Sequence, residues 1–320
     1  MQQTARAHPN IALIKYWGKR DSALNLPAVG SISITLSSLH TDMRISLDPG
    51  LESDQLWFNN EPAPGLLPRI SECMDTVIGR ARERARVTSS GNFPVAAGLA
   101  SSASAFAACV VAADSLDDKQ RPLETLANLA GRASGSAARS LLGGFVELSN
   151  EAESVRVTSL LEPADWPLEV IVAITSEQEK AVGSGKAMEI SRHTSPFYGQ
   201  WIAEQDDDLD TARTAIVARD IGALGDIAEH NCLKMHSVMW TSRPPLVYWN
   251  STTVSCMETV RRLRSKGVPV FFTIDAGPQL KAVCEPCAAD KVESELAATG
   301  GVLRTLRTSL GTGAHLLDGE

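Results

Sequence analysis

The chain has 320 residues, of which 43% are hydrophobic and 21% are charged, as is typical of an ordinary globular protein. Its 30 basic and 38 acidic residues give a formal net charge of −8, which argues against nucleic acid or an anionic membrane surface as a partner. The length predicts about two domains. The N-terminus lacks the apolar run of a signal peptide, and the longest apolar stretches are no longer than a strand. We therefore expect a soluble, cytoplasmic protein.

Six cysteines are spread along the chain, and only Cys284 and Cys287 stand in a C-x-x-C arrangement. A zinc or redox site of this kind needs a second cysteine pair or histidines close by in the sequence, and neither is present. We interpret the cysteines as ordinary thiols without a common function.

The first half of the chain begins with strands. Apolar, β-branched runs bounded by Gly and Pro predict strands at residues 10–15, 31–36 and 42–47. Apolar residues at helical spacing predict a helix over 67–78. The elements predicted next are a strand near 86–93, a small-residue helix from Ser101, a helical stretch over 122–142, and strands at 145–148, 154–160 and 168–175.

The second half is mostly helical. Helices are predicted from about 184 to 267, with an interruption at Pro244-Pro245, where two prolines exclude a continuous helix. The elements predicted after them are strands at 268–274, 280–284 and 302–307 and a helix at 288–298. Strands first and helices later favour an α+β fold. A polar connector near 176–184 predicts a boundary between a domain of residues 1–180 and a domain of residues 181–320.

The segment 94–105 is the first candidate site, since it follows a predicted strand and opens a helix. Gly98 allows a tight turn and a close approach to a ligand. Hydroxyls and free N–H groups at Ser101 and Ser102 can receive an anion at the helix N-terminus. The segment is neither a Walker A loop nor a G-x-G-x-x-G motif. It is a candidate phosphate cradle, and a Ser-capped, Ala-rich core helix is the alternative.

A basic cluster directly follows the first of these strands. It contains Lys15, Lys19 and Arg20, with Tyr16 and Trp17 between them. Three cations in an acidic protein can neutralise a polyanion such as a diphosphate, and the aromatic pair adds a hydroxyl donor and a rigid wall. The alternative is a basic strand end exposed to water.

A third segment combines small hydroxyl residues with an arginine. Ser134, Ser136 and Arg139 could bind an oxyanion, with the guanidinium gripping a carboxylate through two hydrogen bonds. A helix start capped by Ser, with Arg139 on the surface, fits the same residues.

A fourth candidate is Asp275, which ends a buried apolar strand. A carboxylate there loses hydration free energy unless it is paired or hydrogen-bonded, and this makes it a functional candidate. An aspartate that begins the turn Ala276-Gly277-Pro278 is the alternative.

Together and in this order, these segments resemble the diphosphomevalonate decarboxylase family, of the superfamily of galacto-, homoserine, mevalonate and phosphomevalonate (GHMP) kinases. The similar segments are residues 9–21, 98–103, 134–140 and 275–278, and weaker similarities extend over nearly the whole chain. The resemblance implies a two-domain α+β, GHMP kinase-like fold. In this fold an N-terminal mixed sheet with helices faces a C-terminal helical, ferredoxin-like domain, and the active site lies in the cleft between them. A homodimer is also implied.

The resemblance further implies ATP-dependent decarboxylation of mevalonate 5-diphosphate to isopentenyl diphosphate, with CO2, phosphate and ADP, by way of phosphorylation of the C3 hydroxyl. The implied catalytic residues are Asp275, Lys15 and Arg139. Asp275 would orient or deprotonate the hydroxyl, Lys15 would keep Asp275 ionised, and Arg139 would orient the substrate carboxylate. ATP is the implied co-substrate, and Mg²⁺ would be held mainly by its phosphates, with Ser102 as a candidate ligand.

The residues carried over from the family fall into two groups by ligand. Those implied to bind the substrate are Tyr16, Trp17, Gly18, Lys19, Arg69, Ser134, Gly135, Ser136, Arg139 and Ser184. Those implied to bind ATP are Asn10, Gly98, Leu99, Ala100, Ser101 and Ser102.

Two positions depart from the family pattern. Ala28-Val29-Gly30 stands where relatives commonly carry Asn and Ser, and Gly185 replaces a Thr or Arg. Both leave open how many phosphates the 5-position of the substrate carries. The alternative functions are a mevalonate 5-phosphate decarboxylase and a mevalonate 3-kinase-like relative. A non-enzymatic nucleotide-binding module is disfavoured because the implied catalytic set is intact.

Overall fold

The first half of the chain forms two sheets. The computed structural model describes residues 1–93, 101–117, 119–178 and 180–317. The strands of the first half are β1 (Gln2–Ala7), β2 (Asn10–Ile14), β3 (Lys19–Asp21), β4 (Leu26–Pro27), β5 (Ser31–Thr35), β6 (Thr41–Leu47), β7 (Gln55–Phe58), β8 (Glu61–Pro62), β9 (Ala85–Gly91), β10 (Phe145–Asn150) and β11 (Val155–Leu161). A four-stranded sheet has the order β11-β10-β5-β2, and β3 and β4 form a separate pair.

A six-stranded sheet completes the first half with a strand from the end of the chain. Its order is β16-β1-β6-β9-β7-β8, where β16 is His315–Leu316. β7 and β9 run parallel, and the other neighbours are antiparallel. The C-terminal segment therefore returns to the N-terminal half.

Three helices pack together beside the sheets of the first half. They are α1 (Leu67–Val77), α2 (Ser101–Leu116) and α3 (Leu123–Ala133), with α2 on β1 and β6 and α3 on β11. Buried residues occur on all sides of α2, which is rich in alanine, because it lies inside the domain among β1, β6, α1 and α3. α1 buries only one stripe, with Ile70, Met74 and Val77 at helical spacing.

The second half surrounds one antiparallel sheet of order β13-β14-β12-β15. Its strands are β12 (Glu169–Ile174), β13 (Val270–Ile274), β14 (Leu280–Cys284) and β15 (Arg304–Ser309). Its helices are α4 (Ser184–Thr194), α5 (Tyr198–Ala203), α6 (Gln205–Ala218), α7 (Ile221–Trp240), α8 (Ser251–Ser265) and α9 (Ala289–Ala297). β12 pairs with β14 and β15 along its length, although it precedes the connector near 176–184 in the sequence.

A continuous apolar cluster joins the two halves. Ile11 and Leu13 of β2 belong to the same cluster as Val170 of β12, Leu209 of α6 and Phe271 of β13, and all are at most 5% exposed. Burial of this much apolar surface fixes the end of β2 beside the end of β13. The cleft described below lies at that meeting point.

The α+β class and most of the predicted elements are confirmed, with one correction and several omissions. The helical stretch predicted over 122–142 is interrupted: α3 ends at Ala133, and a separate 3₁₀ turn spans Ala137–Leu141. Ser134 and Gly135 lie in the gap, with Ser134 in extended backbone conformation. β1, β7 and the short strands β3, β4, β8 and β16 were not predicted, because short or polar runs give little periodic signal.

All six cysteines are free thiols; Cys287 is exposed and the others are buried. No helix in the described ranges combines the length and the apolar character needed to cross a membrane.

Gly225→Ala tests the contact of α7 with β13. A Cβ at this position would lie 2.8 Å from Phe271 Cβ inside the joining cluster, so the helix must shift or the strand must yield. Such overpacking typically costs about 1–3 kcal/mol of unfolding free energy. Chemical denaturation should show a loss of this size. Gly199→Ala, on an exposed helical site with open space around it, should not lose stability. Equal stability of the two variants would contradict the close packing of α7 on β13.

Candidate active site

A cavity of about 950 Å³ lies between the two halves. Among the described residues, seven basic side chains and two acidic ones line it: Lys15, Lys19, Arg69, Arg132, Arg139, Lys180 and Lys186, against Glu72 and Asp275. The formal charge of the protein as a whole is −8, so the excess of positive charge is local. A cleft of this size and charge suits a polyanionic small molecule.

Asp275 lies at the floor of this cavity, directly after β13. Its Oδ1 accepts a hydrogen bond from Lys15 Nζ at 2.6 Å, and its Oδ2 is 3.1 Å from Lys281 Nζ. The Asp275 side chain is 26% exposed, whereas Lys15 and Lys281 are 1% and 0% exposed. The carboxylate is thus the one member of this triad that a ligand can reach.

The charge state of Asp275 follows from this geometry. Burial by itself raises the pKa of the Asp275 carboxyl, but the two adjacent ammonium groups of Lys15 and Lys281 outweigh it. The net effect holds the pKa of Asp275 well below its ordinary value. Asp275 is therefore ionised at all physiological pH values. It can accept hydrogen bonds but binds a proton only weakly.

Lys15 owes its position to an irregularity at the end of β2. The register between β2 and β5 shifts between Ala12 and Ile14, as at a β-bulge. The Lys15 ammonium then points inward, where it also donates to the Ala12 carbonyl at 2.8 Å. The basic cluster predicted from the sequence is therefore split, since Lys15 is buried while Arg20 is exposed to water.

Arg139 is buried, at 2% exposure, and its hydrogen-bond partners are all neutral. Its Nε donates to Ser33 Oγ at 3.1 Å, one terminal nitrogen to Ser31 Oγ at 2.5 Å, and the other to Asn10 Oδ1 at 3.2 Å. Within the described ranges no carboxylate forms an ion pair with it, and the second hydrogen of each terminal nitrogen has no acceptor. Burial lowers the pKa of Arg139 to about 10, which leaves it protonated at neutral pH. A buried cation without a counter-ion favours binding of an anion.

Tyr16 and Gly135 form part of the wall between these two centres. The Tyr16 hydroxyl is buried without a hydrogen-bond partner among the residues that the structure describes. Gly135 permits this position, because a Cβ there would lie 2.6 Å from the hydroxyl oxygen. Burial raises the pKa of Tyr16, so the hydroxyl stays protonated and can donate a hydrogen bond to a ligand.

Trp17 and Gly18 support the wall from behind. Trp17 is 2% exposed and packs in an apolar cluster with Met188 and Trp201, and its carbonyl accepts from the Trp201 indole at 2.9 Å. Gly18 has a φ of +103°, and a Cβ there would overlap the Tyr198 hydroxyl. Gly18 is therefore required by backbone conformation and by packing, and it does not line the cavity.

Among the other residues implied to bind the substrate, Ser134, Ser136 and Lys19 line the cavity. Arg69 lies on α1, where it is exposed, donates to the Ala133 carbonyl at 3.0 Å, and lies 4.6 Å from the ring centre of Phe106. Ser184 is the first residue of α4 and faces the cavity. The structure therefore gathers the implied substrate residues around one space, apart from Gly18.

The residues implied to bind ATP are divided between described and undescribed positions. Gly98, Leu99 and Ala100 lie outside the described residues. Ser101 and Ser102 begin α2 and line the cavity, and Ser102 Oγ lies 3.3 Å from Ser134 Oγ.

Asn10 lines the same space, but its amide is engaged by the protein. Its Nδ2 donates to the Ser136 carbonyl at 3.0 Å and to Ser140 Oγ at 2.8 Å. Its Oδ1 accepts from Arg139. The observed contacts of Asn10 therefore orient Arg139.

The sequence analysis missed Lys281 and Lys180. Lys281 is the second residue of β14, whose other members are apolar and buried. A cation in such a strand is itself a signal of a partner charge, because an unpaired buried ammonium is costly. Lys180 donates to Ser184 Oγ at 2.9 Å and lies 3.3 Å from the Ala276 carbonyl oxygen. Burial lowers the pKa of Lys180, and the negative charge of Asp275 partly opposes that effect.

Of the two departures from the family pattern, Gly185 lines the cavity and Ala28-Val29-Gly30 does not. Val29 is 4% exposed and packs in the cluster of Trp17, so the segment around it contributes apolar support. Gly185 is exposed with open space around it, and its neighbour Lys186 lines the cavity. A cation is therefore available at that rim.

A second, smaller cavity of about 110 Å³ lies beside the start of α2. It shares Ser101, Ser102 and Arg69 with the main cavity. Its lining is otherwise mostly apolar and includes Phe58 and Phe93. A flat, weakly polar group attached to a phosphate bound at Ser101 and Ser102 would fit this environment.

Comparison with known proteins identifies close similarities over the whole chain. Residues 7–160 match the family model of the diphosphomevalonate decarboxylase-like N-terminal domain, and residues 170–303 match that of the mevalonate 5-diphosphate decarboxylase C-terminal domain. The diphosphomevalonate decarboxylase of Candida albicans is 32% identical to this chain, over 95% of this chain and 94% of that protein.

Solved structures agree with these matches. Mevalonate diphosphate decarboxylase from Staphylococcus aureus is similar, with a TM-score of 0.93 and 36% identity over 99% of this chain and 98% of that one. A complex of MDDEF with MVAPP, AMPPCP and magnesium has a TM-score of 0.92 and 32% identity over 100% of this chain and 99% of that one. The two-domain fold implied by the resemblance is confirmed.

Asp275→Asn tests the charge balance of the site through protein stability. The substitution leaves the buried Lys15 and Lys281 without their counter-ion, and removal of one partner from a buried pair costs about 3–5 kcal/mol. Because the folded-state pKa of Asp275 is lowered, its stabilising effect is present above its unfolded-state pKa of about 4 and is lost as the pH falls below it. The difference in unfolding free energy between the wild type and the variant should therefore be large at pH 7 and shrink in acid.

The matched control for this measurement is Asp290→Asn. Asp290 is 95% exposed in its ion pair with Arg307, so its removal should cost no measurable stability at any pH. A pH-independent difference for Asp275→Asn would show that the carboxylate is not held by the two lysines.

Proposed function

This chain belongs to the diphosphomevalonate decarboxylase family, and from that premise we propose which of its residues perform the reaction and how. The reaction is the ATP-dependent decarboxylation of mevalonate 5-diphosphate to isopentenyl diphosphate, with CO2, phosphate and ADP as the other products. The observation that carries the assignment is one cleft that holds an ionised Asp275 between two buried lysines and, beside it, a buried Arg139 without a counter-ion.

Asp275 and Arg139 act at the C3 end of the substrate. Asp275 accepts a hydrogen bond from the C3 hydroxyl and orients its oxygen toward the γ-phosphate of ATP. Lys15 and Lys281 hold Asp275 in its ionised form. The two unused N–H groups of Arg139 bind the C1 carboxylate, which the buried cation keeps ionised. A lowered pKa makes Asp275 a weak base, so its contribution is mainly orientation and electrostatic stabilisation.

The bonds that change follow from this placement. The C3 oxygen forms a bond to the γ-phosphorus of ATP while the bond to the ADP oxygen breaks, and the hydroxyl proton is released. The C3–O bond then breaks with its electron pair on phosphate. The bond between C2 and the carboxylate breaks to give CO2, and its electron pair becomes the new double bond between C2 and C3. Phosphorylation converts a poor leaving group into a good one.

The remaining cations bind phosphate groups. Lys19, Arg69, Lys180 and Lys186 line the same cavity, and the Tyr16 hydroxyl has a free donor toward it. Charge-assisted hydrogen bonds from such groups suit the 5-diphosphate. The diphosphate lies on the side of Tyr16, Lys19, Arg69, Ser134, Gly135, Ser136 and Ser184, with Trp17 and Gly18 supporting that wall.

ATP binds at the beginning of α2. The N–H groups and hydroxyls at Ser101 and Ser102 receive the triphosphate, together with Gly98, Leu99 and Ala100 and with Asn10 nearby. The second cavity, with Phe58 and Phe93, takes the adenine.

Mg²⁺ fits this arrangement as a metal held chiefly by phosphates. The described residues contain no cluster of His, Cys, Asp or Glu able to hold a metal by itself. The Ser102 hydroxyl at the cavity wall would supply a protein oxygen to it. When bound, the metal neutralises phosphate charge.

The organisation of the whole molecule forms part of the same proposal. The boundary between residues 180 and 181 stays a prediction, and the pairing of β12 with β14 and β15 supports a boundary ahead of β12, within 162–168, as its alternative. The protein works in the cytoplasm, in keeping with six free thiols.

It forms a homodimer, for which the exposed apolar residues Trp240, Val247 and Val254 offer a contact surface near the start of α8.

A substrate comparison tests the assignment. Wild-type protein with ATP and Mg²⁺ is incubated in parallel with mevalonate, mevalonate 5-phosphate and mevalonate 5-diphosphate. Equal amounts of CO2 and phosphate should appear with the 5-diphosphate only. Preference for the 5-phosphate would identify a 5-phosphate decarboxylase, and ADP formation from mevalonate without CO2 would identify a 3-kinase.

Asp275→Asn serves as the negative control in that assay. Loss of a group that orients and activates a reacting hydroxyl typically costs about 10²–10⁴-fold in turnover. ATP binding should persist in this variant, since Asp275 is not part of the proposed ATP site. Near-normal turnover would remove Asp275 from the mechanism.

Lys281→Met tests the role of the second lysine, which does not line the cavity. Removal of one of the two adjacent cations raises the pKa of Asp275. The acid limb of the kcat–pH profile should therefore move to higher pH, with the change confined to acidic conditions. Lys291→Met, on the exposed face of α9, should leave the profile unchanged. An unshifted acid limb in Lys281→Met would mean that Lys15 alone sets the charge of Asp275.

A further inference from the structure

The main chain at Lys15 is held by side chains of the other half of the molecule. β2 ends at Ile14, and the Lys15 N–H donates to Asn231 Oδ1 at 2.7 Å. The Lys15 carbonyl accepts from Gln205 Nε2 at 2.7 Å. Gln205 begins α6 and Asn231 lies in α7, so two helices of the second half fix a residue of the first half.

The orientation of Asn231 is determined by its surroundings. Its Nδ2 donates to Asp208 Oδ2 at 2.6 Å and to Gln205 Oε1 at 3.0 Å. An ionised carboxylate only accepts, so Asp208 forces the NH2 of Asn231 to face it and the oxygen to face Lys15. Lys234 Nζ donates to the same carboxylate oxygen at 2.9 Å and holds it in place.

These polar groups are buried and fully used. Asn231, Gln205 and Asp208 are 0%, 1% and 7% exposed, and none of them lines the substrate cavity. Burial of so many polar atoms is tolerable only because each has a partner. The network therefore does not line the substrate site, and among the described residues its hydrogen bonds to the catalytic set go to the backbone of Lys15.

The same turn of α7 also contacts the residue before Asp275. Cys232, next to Asn231, has its Sγ 3.3 Å from the Ile274 nitrogen and 3.4 Å from the Ile274 oxygen. His236 Nε2, one turn later, lies 3.2 Å from the same oxygen. Adjacent positions of one helix thus hold both ends of the Lys15–Asp275 ion pair.

We propose that Asn231, oriented by Asp208 and Gln205, is a positioning residue that sets the distance between the Lys15 ammonium and the Asp275 carboxylate for catalysis. This inference rests on the proposed function. Asn231 touches neither substrate nor ATP, and it acts through Lys15. α7 is the rigid element that holds the backbones of Lys15 and Ile274 at fixed positions relative to each other.

Asn231→Asp provides a test with almost no change of shape. The new carboxylate oxygen faces Asp208 and the Gln205 oxygen, so the side chain must turn away and the Lys15 N–H loses its acceptor. Displacement of a catalytic group by about 1 Å can cost about 10²-fold, so kcat should fall by about 10- to 100-fold. KM for mevalonate 5-diphosphate should change little, because the cavity lining is intact.

The pH profile distinguishes positioning from a purely structural role. If Lys15 withdraws from Asp275, the pKa of Asp275 rises and the acid limb of kcat moves to higher pH. The charged or titratable groups that face Asp275 are Lys15 of β2, Lys281 of β14, Lys180 of the connector, Arg139 of the 3₁₀ turn, and Cys232 and His236 of α7. Of these, Asn231→Asp displaces Lys15 directly.

A reverse pair and a control complete the design. Asp208→Asn should lower kcat in the same direction, because Asn231 no longer has an acceptor-only partner, and it serves as the test should Asn231→Asp not fold. The double variant Asp208→Asn/Asn231→Asp restores a donor–acceptor pair and should recover part of kcat. Val292→Ala, in the buried core of α9, should lower stability but leave kcat and the acid limb unchanged.

The outcomes separate this inference from the proposed function. Wild-type protein that fails to decarboxylate mevalonate 5-diphosphate would refute the proposed function. Active wild type, with normal kcat and an unshifted acid limb in a folded Asn231 or Asp208 variant, would overturn the positioning role alone. A loss of stability with unaltered kinetics would show that the network stabilises the fold but does not position Lys15 for catalysis.

Discussion

The rest of the site depends on the placement of one carboxylate between two buried ammonium groups. Asp275 forms ion pairs with Lys15 and Lys281, and Arg139 is a further buried cation, for which the described residues supply no carboxylate. A protein interior tolerates a buried cation without a counter-ion poorly, because the ion loses its hydration. An anionic ligand in the cleft supplies the missing negative charge. The binding of a carboxylate and of phosphates is thus prepared by the same electrostatic imbalance that keeps Asp275 ionised.

That placement requires two halves of the chain to meet with side-chain accuracy. Apolar burial between β2, β12, α6 and β13 brings the halves together, but apolar contact is non-directional and tolerates small shifts. Directional bonds do the fine adjustment. Asn231 and Gln205 bind the Lys15 backbone, and Cys232 and His236 approach Ile274. The apolar cluster stabilises the association of the two halves, and the hydrogen bonds fix the positions of the residues at the site.

Sequence reasoning identified the elements and motifs that have local signals. Periodic apolar runs predicted most strands and helices, and family motifs led to Asp275, Lys15 and Arg139. The short strands were not predicted because short or polar runs give little periodic signal. The break at Ser134 was missed because its residues are also compatible with a helix. Lys281 and Asn231 were missed for another reason: their importance lies in contacts with residues far away in the sequence, Asp275 and Lys15, and no local pattern records such pairings.

The two ends of the cleft differ in how much the protein fixes them. Asp275, Lys15 and Arg139 have protein partners at defined distances, so the groups proposed to act on C3 are already in place before substrate binds. Arg69, Arg132 and Lys186, in contrast, are exposed side chains at the rim. Long exposed side chains can adapt to one phosphate or to two, whereas buried ones cannot move to new partners. In the proposed mechanism, the chemistry at C3 is therefore specified by the core, and selection among 5-substituents rests with the adaptable cations at the opening.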